Sequence, residues 1–173
     1  LAYSPPPPLK PLRLSHYTAT TCLGRGLAPL RQAIANRGSG LAPCAFETVQ
    51  LDNWVGEVAG VDDIVLPSAL RAYDCRNNRL ALMGLDTDGF DAAVRAATAR
   101  YGARRIGVFL GTSTAGIHET ELAYRQRDPA TGALPQSFDY RGTHNTYSVA
   151  AFTRDWFGLE GPAMVVSTAC SSS

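Results

Sequence analysis

Long apolar runs are missing from this sequence. No uninterrupted apolar stretch of about eighteen residues, the length a membrane-crossing helix needs, occurs anywhere in the 173 residues. A surplus of either charge is missing too: sixteen Lys and Arg face fifteen Asp and Glu, for a net charge of +1. Without surplus basic residues to meet phosphates, neither nucleic acid nor an anionic membrane surface is an expected partner. Metal-ligand spacing is missing as well. No two of Cys22, Cys44, Cys75 and Cys170 form a C-x-x-C pair, and His16, His118 and His144 lie far from them, so no metal is expected. The phosphate-loop pattern G-x-x-x-x-G-K-[ST] and the hydrolase elbow G-x-S-x-G are absent. Residues 1–12 lack the basic start and apolar centre of an export signal, so a cytoplasmic protein with reduced thiols is expected.

What is present reads as a folded chain. Hydrophobic residues make up 45% and charged residues 18%, near the globular average, which excludes a disordered chain. The length suits one domain with its own core. Pro5, Pro6, Pro7, Pro8 and Pro11 mark residues 1–11 as a flexible, extended arm. Because the chain begins on Leu1 and stops on a serine run directly after an apolar stretch, a longer parent protein is expected.

Beyond the arm, residues 12–20 alternate apolar and polar side chains, the pattern of a strand. Pro29 in a first turn and Gly38 after the last one frame a helix over residues 28–36. Residues 40–67 read as loop with short strands. Asp74 is expected to cap a helix running to Gly84, and Asp88 to cap the next, with Phe90, Val94, Ala97 and Tyr101 on one face and Gly102 as its stop. Residues 105–110 (RIGVFL) and 162–168 (PAMVVST) read as buried strands. Residues 118–126 are expected to be helical and residues 128–142 to form a loop. Residues 145–157 make a helix with Val149, Ala150, Phe152 and Trp156 inward, stopped by Gly158. Helices alternating with apolar strands indicate an α/β chain with a largely parallel sheet.

Two segments stand out chemically. Ser167-Thr168-Ala169-Cys170-Ser171-Ser172-Ser173 follows an apolar strand without a linker, and its small residues permit a tight turn into a helix. A thiol at such a helix start would be favoured as thiolate, and a thiolate attacks acyl carbonyls, with the Cys170 N–H available to the oxyanion. The spacing alone leaves a second reading open, a small buried thiol at a strand end. Gly111-Thr112-Ser113-Thr114-Ala115-Gly116 is best read as a strand-to-helix turn beside a cavity. The three histidines read as surface or hydrogen-bonded, and Arg76, Asn77, Asn78 and Arg79 as a solvated face or a subunit contact.

Together, Gly158-Leu159-Glu160-Gly161-Pro162, the strand 163–166, Thr168-Ala169-Cys170-Ser171-Ser172-Ser173, and Ile106-Gly107 through Gly116 occur in an order that identifies a family. From about Leu12 to Ser173 the chain resembles the N-terminal half of a β-ketoacyl-acyl carrier protein synthase, a condensing enzyme. The resemblance implies an α/β, thiolase-like fold: the N-terminal half of a layered α-β-α-β-α architecture with a mostly parallel mixed sheet, over residues 12–173. It implies that Cys170 is the acyl-accepting nucleophile. The acyl group would come from the phosphopantetheine arm of an acyl carrier protein, no cofactor being bound by the enzyme itself. A malonyl-carrier thioester would then decarboxylate and condense with it, in fatty-acid or polyketide-type biosynthesis. Thr114 would line the acyl pocket. Residues 143–147 would reach a partner's pocket, in a homodimer or a heterodimer with a related ketosynthase-like subunit.

The family's two catalytic histidines and its glycine-rich loop belong to the C-terminal half. None of His16, His118 or His144 matches them, so this chain is not expected to condense anything alone. The competing readings are a chain-length partner without condensing activity, which the presence of Cys170 disfavours, a scaffold with an inert Cys170, and a cysteine-dependent acyl hydrolase.

Overall fold

The computed structural model describes residues 11–46, 49 and 51–172. All but Pro11 of the expected proline-rich arm lies outside the described residues.

The core is assembled around one helix. Helix α5 (Ser148–Trp156) buries Val149, Ala150, Phe152 and Thr153, and Gly158, at φ 61°, follows its end. On one side it packs on strands β5 (Val108–Gly111) and β6 (Ala163–Val166), where Val108 and Val165 join Val149, Ala150, Phe157 and Leu159 in one cluster. On the other, Phe152, wholly buried, meets Leu82 of α2 (Arg76–Leu85) and Leu66, with Leu70 and Tyr73 of the 3-10 helix Ser68–Tyr73 packed around them.

Strands β5 and β6 are parallel, with Val108 opposite Ala163 and Gly111 opposite Val166. Their start is fixed by a backbone contact. The Val108 N–H donates to the Pro162 carbonyl at 2.8 Å, and a side chain at Gly161 would collide with the Ile106 carbonyl. Two antiparallel pairs lie outside this core: β1 (Thr20–Thr21) with β2 (Gly24–Arg25), and β3 (Ala42–Pro43) with β4 (Trp54–Val55). Among the described residues no helix is long and apolar enough to cross a membrane.

The helices α1 (Leu27–Asn36), α3 (Phe90–Tyr101) and α4 (Ile117–Arg125) stand close to their expected positions. Their caps do not. Asp88 leaves α3 to Gly89 and turns instead to α1, accepting the Leu27 N–H at 3.0 Å and the Thr18 hydroxyl at 2.9 Å. Asp74 pairs with Arg79 at 2.6 Å while Cys75 takes the cap position of α2. The left-handed residue ending α1 is Arg37, with Gly38 donating to the Ala33 carbonyl.

Five further expectations are corrected. Residues 12–19 form no strand, and Leu12 and Leu14 are exposed, because among the described residues no neighbouring strand offers a ladder. The strands expected to be buried on both faces are covered on one only: Phe109, Met164 and Val166 face outward. Tyr101 is half exposed although Val94 on the same helix packs against the core. Asn78 lies on no solvated face. It is wholly buried, donating to the Tyr73 carbonyl and to Ser148 Oγ, because α2 turns that side toward α5. Within the expected loop, Tyr140–His144 forms a π-helical turn, with Asp139 Oδ1 accepting the Gly142 N–H.

Candidate active site

Parallel pairing decides where chemistry can occur, because both strands end at the same edge and the turns that follow share it. The ladder runs one step past the paired residues, with the Thr112 N–H donating to the Val166 carbonyl at 3.1 Å. The small-residue turn 111–116 and the Cys170 turn, separated by some fifty residues of chain, therefore leave the pair side by side.

After β6 the backbone bends sharply. Thr168 stands at φ −125°, ψ 41°, and Ala169 is left-handed at φ 53°. That conformation costs an L-residue roughly 1–2 kcal/mol. Cys170 follows in the 3-10 turn Ala169–Ser171. Serine hydroxyls hold the bend. The Thr168 N–H donates to Ser172 Oγ at 2.9 Å, Ser172 Oγ donates to the Ala169 carbonyl at 2.7 Å, and Ser171 Oγ donates to the Thr168 carbonyl at 3.1 Å. Both hydroxyl protons are thus committed to the turn, which leaves these serines poorly placed as hydrolytic nucleophiles.

Cys170 itself is exposed, so in this chain it is not the small buried thiol of the second sequence reading. That description fits Cys75 instead: it is buried at the start of α2, and burial pushes its thiol up to about 11. All four cysteines are free. Among the hydrogen bonds of the described residues none uses the Cys170 N–H. Over the described residues the backbone around Cys170 forms the 3-10 turn Ala169–Ser171. Among the described residues no group of three or more His, Cys, Asp or Glu could hold a metal ion.

Thr114 lines a cavity of about 510 Å³ whose apolar walls include Phe46, Val55, Val61 and Leu80. Its turn is braced by Thr112 Oγ1, which donates to the Thr114 carbonyl at 2.8 Å. Cys170 is not among the residues lining this cavity. His118 lines it and meets the Phe46 ring edge-on at 5.8 Å. His16 borders a groove along α3, and His144 contacts Thr120, the hydrogen-bonded role expected of it. Sequence reasoning missed Asn78, Glu119 and Thr120. Glu119 accepts the first N–H of α2, from Arg76, at 3.2 Å, a tie between distant segments that no local pattern announces.

Comparison with known proteins agrees with this geometry. The family model described as "Beta-ketoacyl synthase, N-terminal domain" matches residues 81–173, which include α5, both parallel strands, the small-residue turn and Cys170. Among solved structures, the chain is similar to one from Xenorhabdus doucetiae described as a ketosynthase (ApeO) in complex with its chain length factor (ApeC), at 33% identity and a TM-score of 0.50. The match covers 64% of this chain and 27% of that one, so the chain spans about a quarter of the length of its structural relative. No curated protein matches. With more than half of its residues matched, and with parallel strands delivering two turns to one edge, the chain belongs to the β-ketoacyl synthase family through its N-terminal domain and has that family's thiolase-like fold.

Proposed function

We propose that this chain supplies the nucleophile of a β-ketoacyl-acyl carrier protein synthase. The Cys170 sulfur attacks the thioester carbonyl of an acyl group carried on phosphopantetheine, and the carrier thiol leaves. A malonyl-carrier thioester then loses CO2. The resulting carbanion attacks the acyl carbonyl and expels the Cys170 sulfur, forming the carbon–carbon bond. Thioester exchange is nearly balanced in energy, so decarboxylation drives the sequence. The observation that carries the reading is the exposed thiol on a left-handed bend with an uncommitted backbone N–H beside it. The acyl chain would extend past Thr114, whose turn leaves the same strand edge. Proton transfer would fall to histidines of the rest of the protein, since none of His16, His118 or His144 is assigned that role. The acyl carrier protein is the substrate-bearing partner, and the enzyme holds no cofactor of its own. The protein acts in the cytoplasm. A heterodimer with a ketosynthase-like subunit is favoured over a homodimer by the relative solved with its chain length factor.

The test is acylation of the full-length protein with its partner subunit. Intact-mass analysis after incubation with an acyl-carrier thioester should show one acyl adduct on Cys170, absent in Cys170→Ala, and a condensed product once malonyl-carrier is added. Acylation spread over Cys22 and Cys44, or a free acid as sole product, would refute it.

A further inference from the structure

The cavity wall formed by residues 114–119 is held from behind at two points. Glu119 fastens it to the first N–H of α2. One residue further, Thr120 Oγ1 donates to the Gly116 carbonyl at 2.7 Å and lies 2.9 Å from His144 Nδ1. A hydroxyl carries one proton, and here it is given to Gly116, so Nδ1 of His144 must be the donor in the second contact. The relay runs from His144 Nδ1–H to Thr120 Oγ1, and from Thr120 O–H to the Gly116 carbonyl. The Phe138 ring, 4.2 Å from the imidazole centroid, holds the imidazole in place. Gly116 is left-handed at φ 64° and is pressed so closely on the Thr143 carbonyl that a side chain there would collide with it. The turn Tyr140–His144 and the cavity wall are thereby one mechanical unit, although neither His144 nor Thr120 lines the cavity.

We propose that His144, acting through Thr120, is a positioning residue that sets the reach of the cavity beside Thr114 and so the length of acyl chain accepted onto Cys170. The inference rests on the function proposed above. Removing the relay frees the wall to shift, and a long chain, which uses the full cavity, feels the shift more than a short one.

The experiment compares Cys170 acylation by a short and a long straight-chain acyl-carrier thioester, using the full-length protein with its partner subunit. Thr120→Val and His144→Leu remove the relay. Thr120→Ser keeps the hydroxyl and His144→Asn keeps an N–H donor. The first two variants should raise KM for the long chain about fivefold over that for the short one, the equivalent of one hydrogen bond, with kcat within about twofold. The second two should restore the parent ratio, a rescue that mere loss of stability would not produce. A parent protein that acylates Cys170 while Thr120→Val and His144→Leu keep its chain-length ratio overturns the inference alone. A parent protein that never acylates Cys170 overturns the function, and this inference with it. Should one valine or leucine variant not fold, the pair at the other position decides.

Discussion

Ser172→Ala tests whether the bend at Cys170 is held by its neighbours. Ser172 makes two of the hydrogen bonds that close it, accepting from Thr168 and donating to the Ala169 carbonyl. At about 1 kcal/mol each, their loss removes roughly 2 kcal/mol. The left-handed Ala169 stores roughly 1–2 kcal/mol in the opposite direction. The two quantities are of the same size, so without Ser172 the bend has nothing to spare, and Ala169 relaxes toward an extended conformation. The thiol then turns away from its donor N–H. The expected outcome is a fall of about tenfold in the acylation rate of Cys170 in the full-length protein, with a melting temperature lowered by less than about 6 °C. Adding Ala169→Gly to Ser172→Ala should recover most of the rate, because glycine adopts the left-handed conformation without strain. The double variant therefore exposes the coupling between the two residues. Wild-type acylation kinetics in Ser172→Ala, or no recovery in the double variant, would refute the reasoning.

Three other outcomes are expected. Asp88→Ala removes the carboxylate that caps α1 from across the chain and should cost about 1 kcal/mol in chemical denaturation, whereas Asp88→Asn, which keeps an acceptor, should lose less than half of that. The Asp91 carboxyl is held below its usual range, first by Arg95 and also by Trp156, so its contribution to stability is complete above the unfolded value near pH ~4 and is lost as pH falls through the lower folded value. Unfolding curves of Asp91→Asn should accordingly be flatter than those of the parent between about pH 5 and pH 2. Cys75, with its thiol pushed from 9.0 to about 11, should react with iodoacetamide at least about a hundredfold more slowly at neutral pH in the folded protein than after denaturation, read by peptide mass spectrometry.

The parts of this chain legible in advance are those whose signals are local. Pro29 and Gly102 announce helix ends within a turn of where they fall, and the run from Pro162 into the small residues around Cys170 announces a strand and a bend. The rest depends on what comes near. Leu12 and Leu14 alternate as a strand would, yet an alternating segment becomes a strand only beside another. Asp88 has the chemistry of a cap, but residues 61 positions away decide which helix it caps. Asn78 reads as polar surface until α5 folds over it. At the site, the thiol was legible because its neighbours are unusually small. The pins on the cavity wall, Glu119 and Thr120, were not, since each acts on a segment distant in sequence.

The contact at Gly161 reaches further than its location suggests. By bringing the chain hard against Ile106 before the first rung forms, it counts the strand from its far end, so that the Cys170 sulfur emerges a fixed number of rungs later. A slip of one rung would turn Met164 inward in place of Val165 and swing the bend to the wrong side of the ladder. A residue without a side chain, nine positions ahead of the sulfur, thus serves as the zero mark of the molecule's measuring rule.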